Sequence, residues 1–194
     1  DRGPLETQVA RALDQARSLD AIRAGSTWVA SVATVGFAAS VNARANALRR
    51  PRGGSRYTVA TLAVLPHLRA VSLVLELDGE PTPVLTTMLA IANTSSFGGG
   101  MAICPDARPD DGLLDVAVIG DVRPLAMLRV FPRVFRGTHI THPQCTMYRA
   151  KRVRLLATGT DVWGDGELVG PAPIELEVVT GAIRVAGAPF ERRS

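Results

Sequence analysis

Residues 71–92 read VSLVLELDGEPTPVLTTMLAIA. Two apolar, partly β-branched runs, Val71–Leu77 and Val84–Ala92, flank Asp78-Gly79-Glu80. An Asp-Gly pair between such runs is a tight-turn signal, because glycine takes positive φ at no steric cost. The stretch therefore reads as a β-hairpin.

The pattern continues downstream. Leu113–Ile119 reads as a strand, as do Val153–Thr158, Asp161–Trp163, Ile174–Val179 and Ala182–Ala186. One helix interrupts them, Arg123–Phe135, with an apolar face predicted from Leu125, Leu128 and Phe131 or Pro132. Arg152 and Arg154 alternate with Val153 and Leu155, as on the solvated face of a strand. Upstream, Pro4 with Leu5, Val9, Leu13 and Ala16 predicts a helix, and Ser26–Val35 a single strand. Ala38–Arg50 and Tyr57–Leu68 read as helices, the second ended or kinked by Pro66. Many short strands with frequent turn signals predict a mainly β chain with a few helices, an α+β domain built on a sandwich or barrel, and do not argue for a doubly wound sheet.

The 194 residues fit one domain, or one domain with a lobe removed. At 46% hydrophobic and 21% charged residues, the composition excludes a disordered chain. The basic residues are almost all arginine, with Lys151 the lone lysine, and the net charge of +4 is mild. Aromatic residues at 5% are too few for a nucleic-acid stacking platform. Cys104 and Cys145 make no disulfide framework and read as buried thiols, although one bridge is left open. No apolar run approaches the ~20 residues of a membrane span, and no signal peptide is visible. The chain opens without methionine, at what reads as a loop-to-helix junction, and a fragment or processed product is expected.

Several constellations carry potential chemistry. Asp78-Gly79-Glu80 and Asp165-Gly166-Glu167 are identical. Each reads plainly as a hairpin turn, or functionally as two carboxylates that share metal and base roles. Composition does not choose between them. Asp106–Asp115 (DARPDDGLLD) holds four carboxylates in ten residues, either a solvated acidic turn or a hard-cation loop. Phe97-Gly98-Gly99-Gly100-Met101 reads as a flexible turn, or as a nest of backbone N–H groups for phosphate. His139, His142 and Cys145 have zinc-ligand spacing but lack a fourth partner.

Taken together, the segments resemble a known family. Asn93, Phe97–Met101, Pro105 and Asp110-Asp111-Gly112-Leu113-Leu114-Asp115-Val116 are similar to the "N…GGG…P.A..DDGLLDV" stretch of the soluble diacylglycerol kinase and sphingosine kinase family of lipid kinases. Gly137-Thr138-His139, the basic strand Ala150-Lys151-Arg152-Val153 and the late Asp165-Gly166-Glu167 with Pro171 and Pro173 agree. So do Val35-Gly36-Phe37 and Gly53–Tyr57. Two departures stand out: Ala38 replaces an acidic residue, and Gly164 replaces a β-branched one, which would loosen the turn bearing Asp165.

The resemblance implies a β-sandwich-like C-terminal lobe of a two-lobe kinase, with residues 1–194 forming that single lobe. The partner lobe, marked in the family by a GGDGT motif that this sequence lacks, would bind ATP. Asp165 would be the base that takes the lipid hydroxyl proton, and Glu167 would help hold the catalytic Mg2+. Asp111 would ligate a second, structural Mg2+ with the carbonyls of Arg108 and Leu113. Gly98, Gly99, Gly100 and Asn93 would border the substrate. The implied partners are a lipid alcohol such as diacylglycerol at a membrane surface and the nucleotide lobe of the same protein, not nucleic acid. A homodimer is left open. The implied location is cytoplasmic, peripheral to the inner membrane surface, and this chain alone would be inactive. Two rivals remain: a non-catalytic lipid or membrane-binding module, and an NAD-kinase-like kinase of a soluble substrate. An apolar groove near Gly98–Gly100 would favour the lipid.

Overall fold

The computed structural model describes residues 16–50, 54–98 and 100–186, together with Thr7 and Asp14. The helix expected from Pro4 to Ala16 lies almost wholly outside the described residues.

Two antiparallel six-stranded sheets form the domain. The strands are β1 (Arg17–Ala24), β2 (Thr27–Val29), β3 (Val32–Gly36), β4 (Val71–Leu77), β5 (Glu80–Thr86), β6 (Met88–Ala92), β7 (Leu114–Ile119), β8 (Cys145–Ala150), β9 (Arg152–Leu156), β10 (Asp161–Gly164), β11 (Glu167–Pro171) and β12 (Ile174–Val185). The helices are α1 (Phe37–Ala47), α2 (Gly54–Val64) and α3 (Pro124–Val134). The first sheet runs β2-β1-β12-β9-β4-β5 and the second β11-β10-β3-β6-β7-β8.

The alternation along β9 shows how the sandwich forms. Val153 and Leu155 are fully buried and meet Ile22, Leu75 and Leu176 of their own sheet and Leu89, Ile91, Val116 and Val118 of the other. Arg152 and Arg154 point outward, as their spacing predicts. The second sheet is covered on both faces. Leu89, Ile91, Val116 and Val118 face the first sheet, while Met88, Ala90, Ala117 and Ile119 face a second core with Phe37, Ile103, Met127 and Val134. This double burial is why β6 and β7 are continuously apolar rather than alternating.

Several readings need correction. Ser26–Val35 is two strands, broken at Ala30-Ser31. Val84–Ala92 also breaks, because the chain crosses between sheets at Thr87. There the backbone is satisfied locally: the Thr87 N–H donates to Ile119 O (2.8 Å), and Thr87 O accepts from the Phe37 N–H (2.9 Å). Gly36 is required at this corner, since it has φ 76° and a Cβ there would lie 2.5 Å from Thr87 O. Ala150–Val153 is no single strand but the corner at Lys151 where β8 hands over to β9 in the other sheet. The two runs at 174–186 are one long strand, and β1, β8 and β11 were not foreseen. Tyr57–Leu68 ends as Pro66 demands, with α2 stopping at Val64 and a 3-10 turn over Leu65–His67.

On α3 the predicted face is the wrong one. Met127, Val130 and Val134 are buried, whereas Leu125 and Leu128 are exposed.

Candidate functional site

The two Asp-Gly-Glu segments fold identically. In each, both central residues have positive φ: Asp78 51° and Gly79 97°, Asp165 50° and Gly166 88°. These are two-residue hairpin turns matched to strand twist. In each, the aspartate reaches across to clamp two successive amides of a neighbouring bend. Asp78 accepts from the N–H groups of Lys151 (2.9 Å) and Arg152 (2.8 Å). Asp165 accepts from those of Ala30 (2.6 Å) and Ser31 (3.1 Å), and from the Ser31 hydroxyl.

Their surroundings separate them. Asp78 pins the β8–β9 corner. The Asp165 turn sits against the helices: Asn46 Nδ2 of α1 donates to Gly166 O (2.8 Å), and the Tyr57 hydroxyl of α2 lies 4.0 Å from where a Gly166 Cβ would stand. Glu167, next along the chain, is exposed. Gly164 does not loosen this turn. A Cβ there would lie 2.3 Å from Val29 Cγ2 and 2.9 Å from Val169 Cγ2, so glycine lets β2 and β11 close tightly around it.

The Ala30-Ser31 bend is also gripped from its other side. The Asn93 N–H donates to Ser31 O (2.8 Å), and Asn93 Nδ2 donates to Ala30 O (3.0 Å) and to Asp20 O (2.7 Å). Asn93 is 1% exposed, so it shapes the bend rather than presenting a surface to a substrate. Asp20, which sequence reasoning missed, continues the chain of contacts. Its carboxylate accepts from the N–H groups of Gly112 (2.8 Å) and Gly181 (2.9 Å), and its own N–H donates to Pro109 O (2.6 Å). A lone aspartate inside the apolar run Leu19–Ile22 was the available signal. One hydrogen-bonded path thus joins the Asp165 turn to the Asp110-Asp111-Gly112 loop.

In that loop Asp111 accepts from the Leu113 N–H (3.1 Å) and pairs with the Arg149 guanidinium. Arg149 Nε also lies 3.4 Å from Asp115 Oδ1. Asp115 is buried and its Oδ2 has no hydrogen-bond partner. Burial pushes its carboxyl up, partly offset by Arg149. Hard carboxylate oxygens, one of them buried without a partner, fit a hard cation in donor chemistry. Arg149 is the group a cation would displace. No cluster of three or more His, Cys, Asp or Glu side chains with metal-site geometry occurs among the described residues.

The zinc spacing does not assemble. His139 is fully buried with Nε2 3.0 Å from Ile103 O, and His142 Nδ1 accepts from the Gln144 N–H. Cys104 and Cys145 are free thiols, and burial pushes both pKa values up. The glycine loop is a closed turn: Phe97 and Met101 exchange N–H···O bonds of 3.1 and 3.0 Å around Gly98 and Gly100. Gly99 lies outside the described residues. An apolar cavity of about 810 Å³ opens elsewhere, between β4, β5 and the end of β9, lined by Leu73, Pro83, Leu85, Leu156 and Pro173. The groove looked for at the glycine loop is therefore not this one.

Residues 30–187 match the YegS C-terminal NAD kinase beta sandwich-like domain. The chain belongs to this family. As a YegS C-terminal domain, it is 40% identical over 159 residues to a diacylglycerol kinase of Mycobacterium tuberculosis, covering 81% of this chain and 52% of that protein. It is 31% identical over 196 residues to a Pseudomonas aeruginosa protein named "Probable lipid kinase YegS-like", covering 97% of this chain and 64% of that one. The chain thus spans about half to two thirds of the length of these relatives. The YegS-type domain also superposes on a crystal structure of a diacylglycerol kinase from Bacillus anthracis with a TM-score of 0.63 at 14% identity, covering 91% of this chain and 56% of that one. That likeness shows the shared fold.

Proposed function

We propose that this domain is the substrate-side lobe of an ATP-dependent kinase that phosphorylates the hydroxyl of a lipid alcohol of the diacylglycerol type. The observation that carries the reading is the Asp165 turn, an exposed carboxylate fixed by backbone amides and seated against two helices, within a YegS C-terminal domain. A carboxylate offers about four lone-pair sites. The Ser31 and Val32 amides and the Ser31 hydroxyl donate to Oδ1, while Oδ2 takes its closest bond from the Ala30 amide and would be the oxygen that faces a substrate O–H.

In the proposed step the lipid oxygen bonds to the γ-phosphorus of ATP as the bond to ADP breaks, and the hydroxyl proton passes to Asp165. The amide donors hold that carboxylate in place, and Asn93 holds the bend that supplies them. Bound Mg2+ would neutralise phosphate charge, with Glu167 near the reacting groups and Asp111 with the Arg108 and Leu113 carbonyls at a second position. Gly98, Gly99 and Gly100 would border the lipid. The apolar surface of Tyr57, Val59, Leu62 and Leu168, exposed on α2 and β11, favours a lipid over a soluble substrate.

The chain carries no GGDGT motif, so by itself it is expected not to phosphorylate lipid. The test is Asp165→Asn in a protein that joins this domain to its nucleotide lobe, assayed for ATP-dependent phosphorylation of diacylglycerol. The expected loss in kcat is at least ~10², the scale of a removed general base. An unchanged kcat would discard the role.

A further inference from the structure

Helix α3 presents three distinct faces. Met127 and Val134 enter the second core, and Val130 is buried as well. Leu125, Leu128 and Phe135 stay 74%, 46% and 48% exposed, an unusual grouping of large apolar side chains in water. At 3.6 residues per turn, Phe135, Leu128, Pro132 and Leu125 form one continuous stripe, and Arg136, Arg129 and Arg133 form the next. Arg123 stands at the N-terminal end.

Arg23, Arg149, Arg152 and Arg154 are all paired with carboxylates. Arg123, Arg129, Arg133 and Arg136 are exposed and make no ion pair among the described residues. They share this lack of an ion pair with the exposed Arg44, Arg49, Arg50, Arg69, Arg108 and Arg184 among the described residues; what distinguishes α3 is that its cations adjoin an exposed apolar stripe. The one acidic residue in 121–136 is Asp121. An apolar stripe flanked by unpaired cations matches a surface that is apolar below and anionic above.

The position of the helix is informative as well. Val134 O accepts from the Ala102 N–H (3.0 Å), directly after the glycine loop, and Phe97 and Met101 pack against the same core as Met127 and Val134. The helix therefore flanks the loop assigned to the lipid.

We infer that this face docks on an anionic phospholipid bilayer, with α3 lying in the interface plane, Leu125, Leu128 and Phe135 inserted, and Arg129, Arg133 and Arg136 on the headgroups. The inference rests on the lipid-kinase reading for its purpose, but its test does not.

The test is cosedimentation of the 194-residue chain with vesicles of phosphatidylcholine, with and without 30% phosphatidylglycerol. Binding is expected to be at least about tenfold tighter to the anionic vesicles. Leu125→Ser/Leu128→Ser/Phe135→Ser and Arg129→Glu/Arg133→Glu/Arg136→Glu should each lower it at least about tenfold, with far-ultraviolet circular dichroism unchanged. Hydrogen exchange of the wild-type chain provides a readout that needs no variant: vesicles should protect 124–136.

Vesicle binding that both variants retain, or protection confined elsewhere, overturns the assignment. So does a chain that ignores anionic vesicles, in which case the stripe faces a protein surface. None of these results touches the lipid-kinase reading, which falls only if the two-lobe protein fails to phosphorylate a lipid alcohol dispersed in detergent.

Discussion

Asp78 and Asp165 are the same residue in the same turn doing the same local work, and only their neighbours differ. Asp78→Asn should therefore lower stability by about 1–3 kcal/mol, the scale of weakened bonds to buried or constrained amides, and leave kcat unchanged. Urea denaturation and a lipid phosphorylation assay on the two-lobe protein would check this. At Asp111, a cation would compete with Arg149. Asp111→Ala should abolish any rise in Tm on adding Mg2+, read by thermal melting with and without the ion, and a rise that survives would remove Asp111 from the ligand set. His139 has a definite pH signature. Ile103 O can only accept, so Nε2 carries the proton and Nδ1 is left buried without a partner. Burial lowers its pKa from the ordinary 6.5. Between the lowered folded value and the unfolded value, the unfolded chain binds more protons, so stability falls as pH drops below about 6.5. His139→Gln should flatten denaturation midpoints measured from pH 7 to 5.

At the scale of an element, α3 shows how an amphipathic pattern can offer two candidate faces. Leu125, Leu128 and Phe131 recur at helical spacing, and so do Met127, Val130 and Val134. Periodicity alone favours neither; burial selects the second set, with Met127 and Val134 packed into the core that covers β6 and β7. Met127→Ala should cost about 2–5 kcal/mol, as for a core truncation. Leu125→Ala should stay within about 0.5 kcal/mol, as for a surface change. Chemical denaturation of the two variants decides which face is core. The β5–β6 and β8–β9 corners show the matching limit for strands. A run of β-formers reads as one strand, and a crossing between sheets leaves little local mark.

Across the whole molecule, the outer face of the first sheet carries a ladder of opposite charges. Glu177 meets Arg23 (2.7 Å) and Arg152 (3.7 Å), and Glu175 bridges Arg152 (3.6 Å) to Arg154 (3.7 Å), which reaches Glu76 (3.0 Å). The ladder is solvent-exposed, so each pair contributes little. Arg154→Ala should cost less than about 1 kcal/mol, with the difference shrinking in 0.5 M salt. Leu155→Ala, one residue along and facing the other sheet, should cost about 2–5 kcal/mol. Equilibrium unfolding at two salt concentrations separates the two terms.

The sequence by itself determined the β-rich class, the first hairpin arm at 71–77, the helix within 123–135, the turn chemistry of both Asp-Gly pairs and the outward face of β9. Each of these is local: backbone preference and side-chain alternation act over a few residues. The DDGLLDV run also pointed to the family to which the chain belongs. Tertiary structure alone decided what depends on distant partners. It joined Asp165 to Ala30 and Ser31, placed Asn93 behind them, and brought in Asp20 from a segment that had no motif. It also turned α3 over, so that the residues expected in the core face water. Hydrogen bonds and burial between segments up to 161 positions apart, as between Asp20 and Gly181, leave no periodic trace in the chain because nothing local requires them.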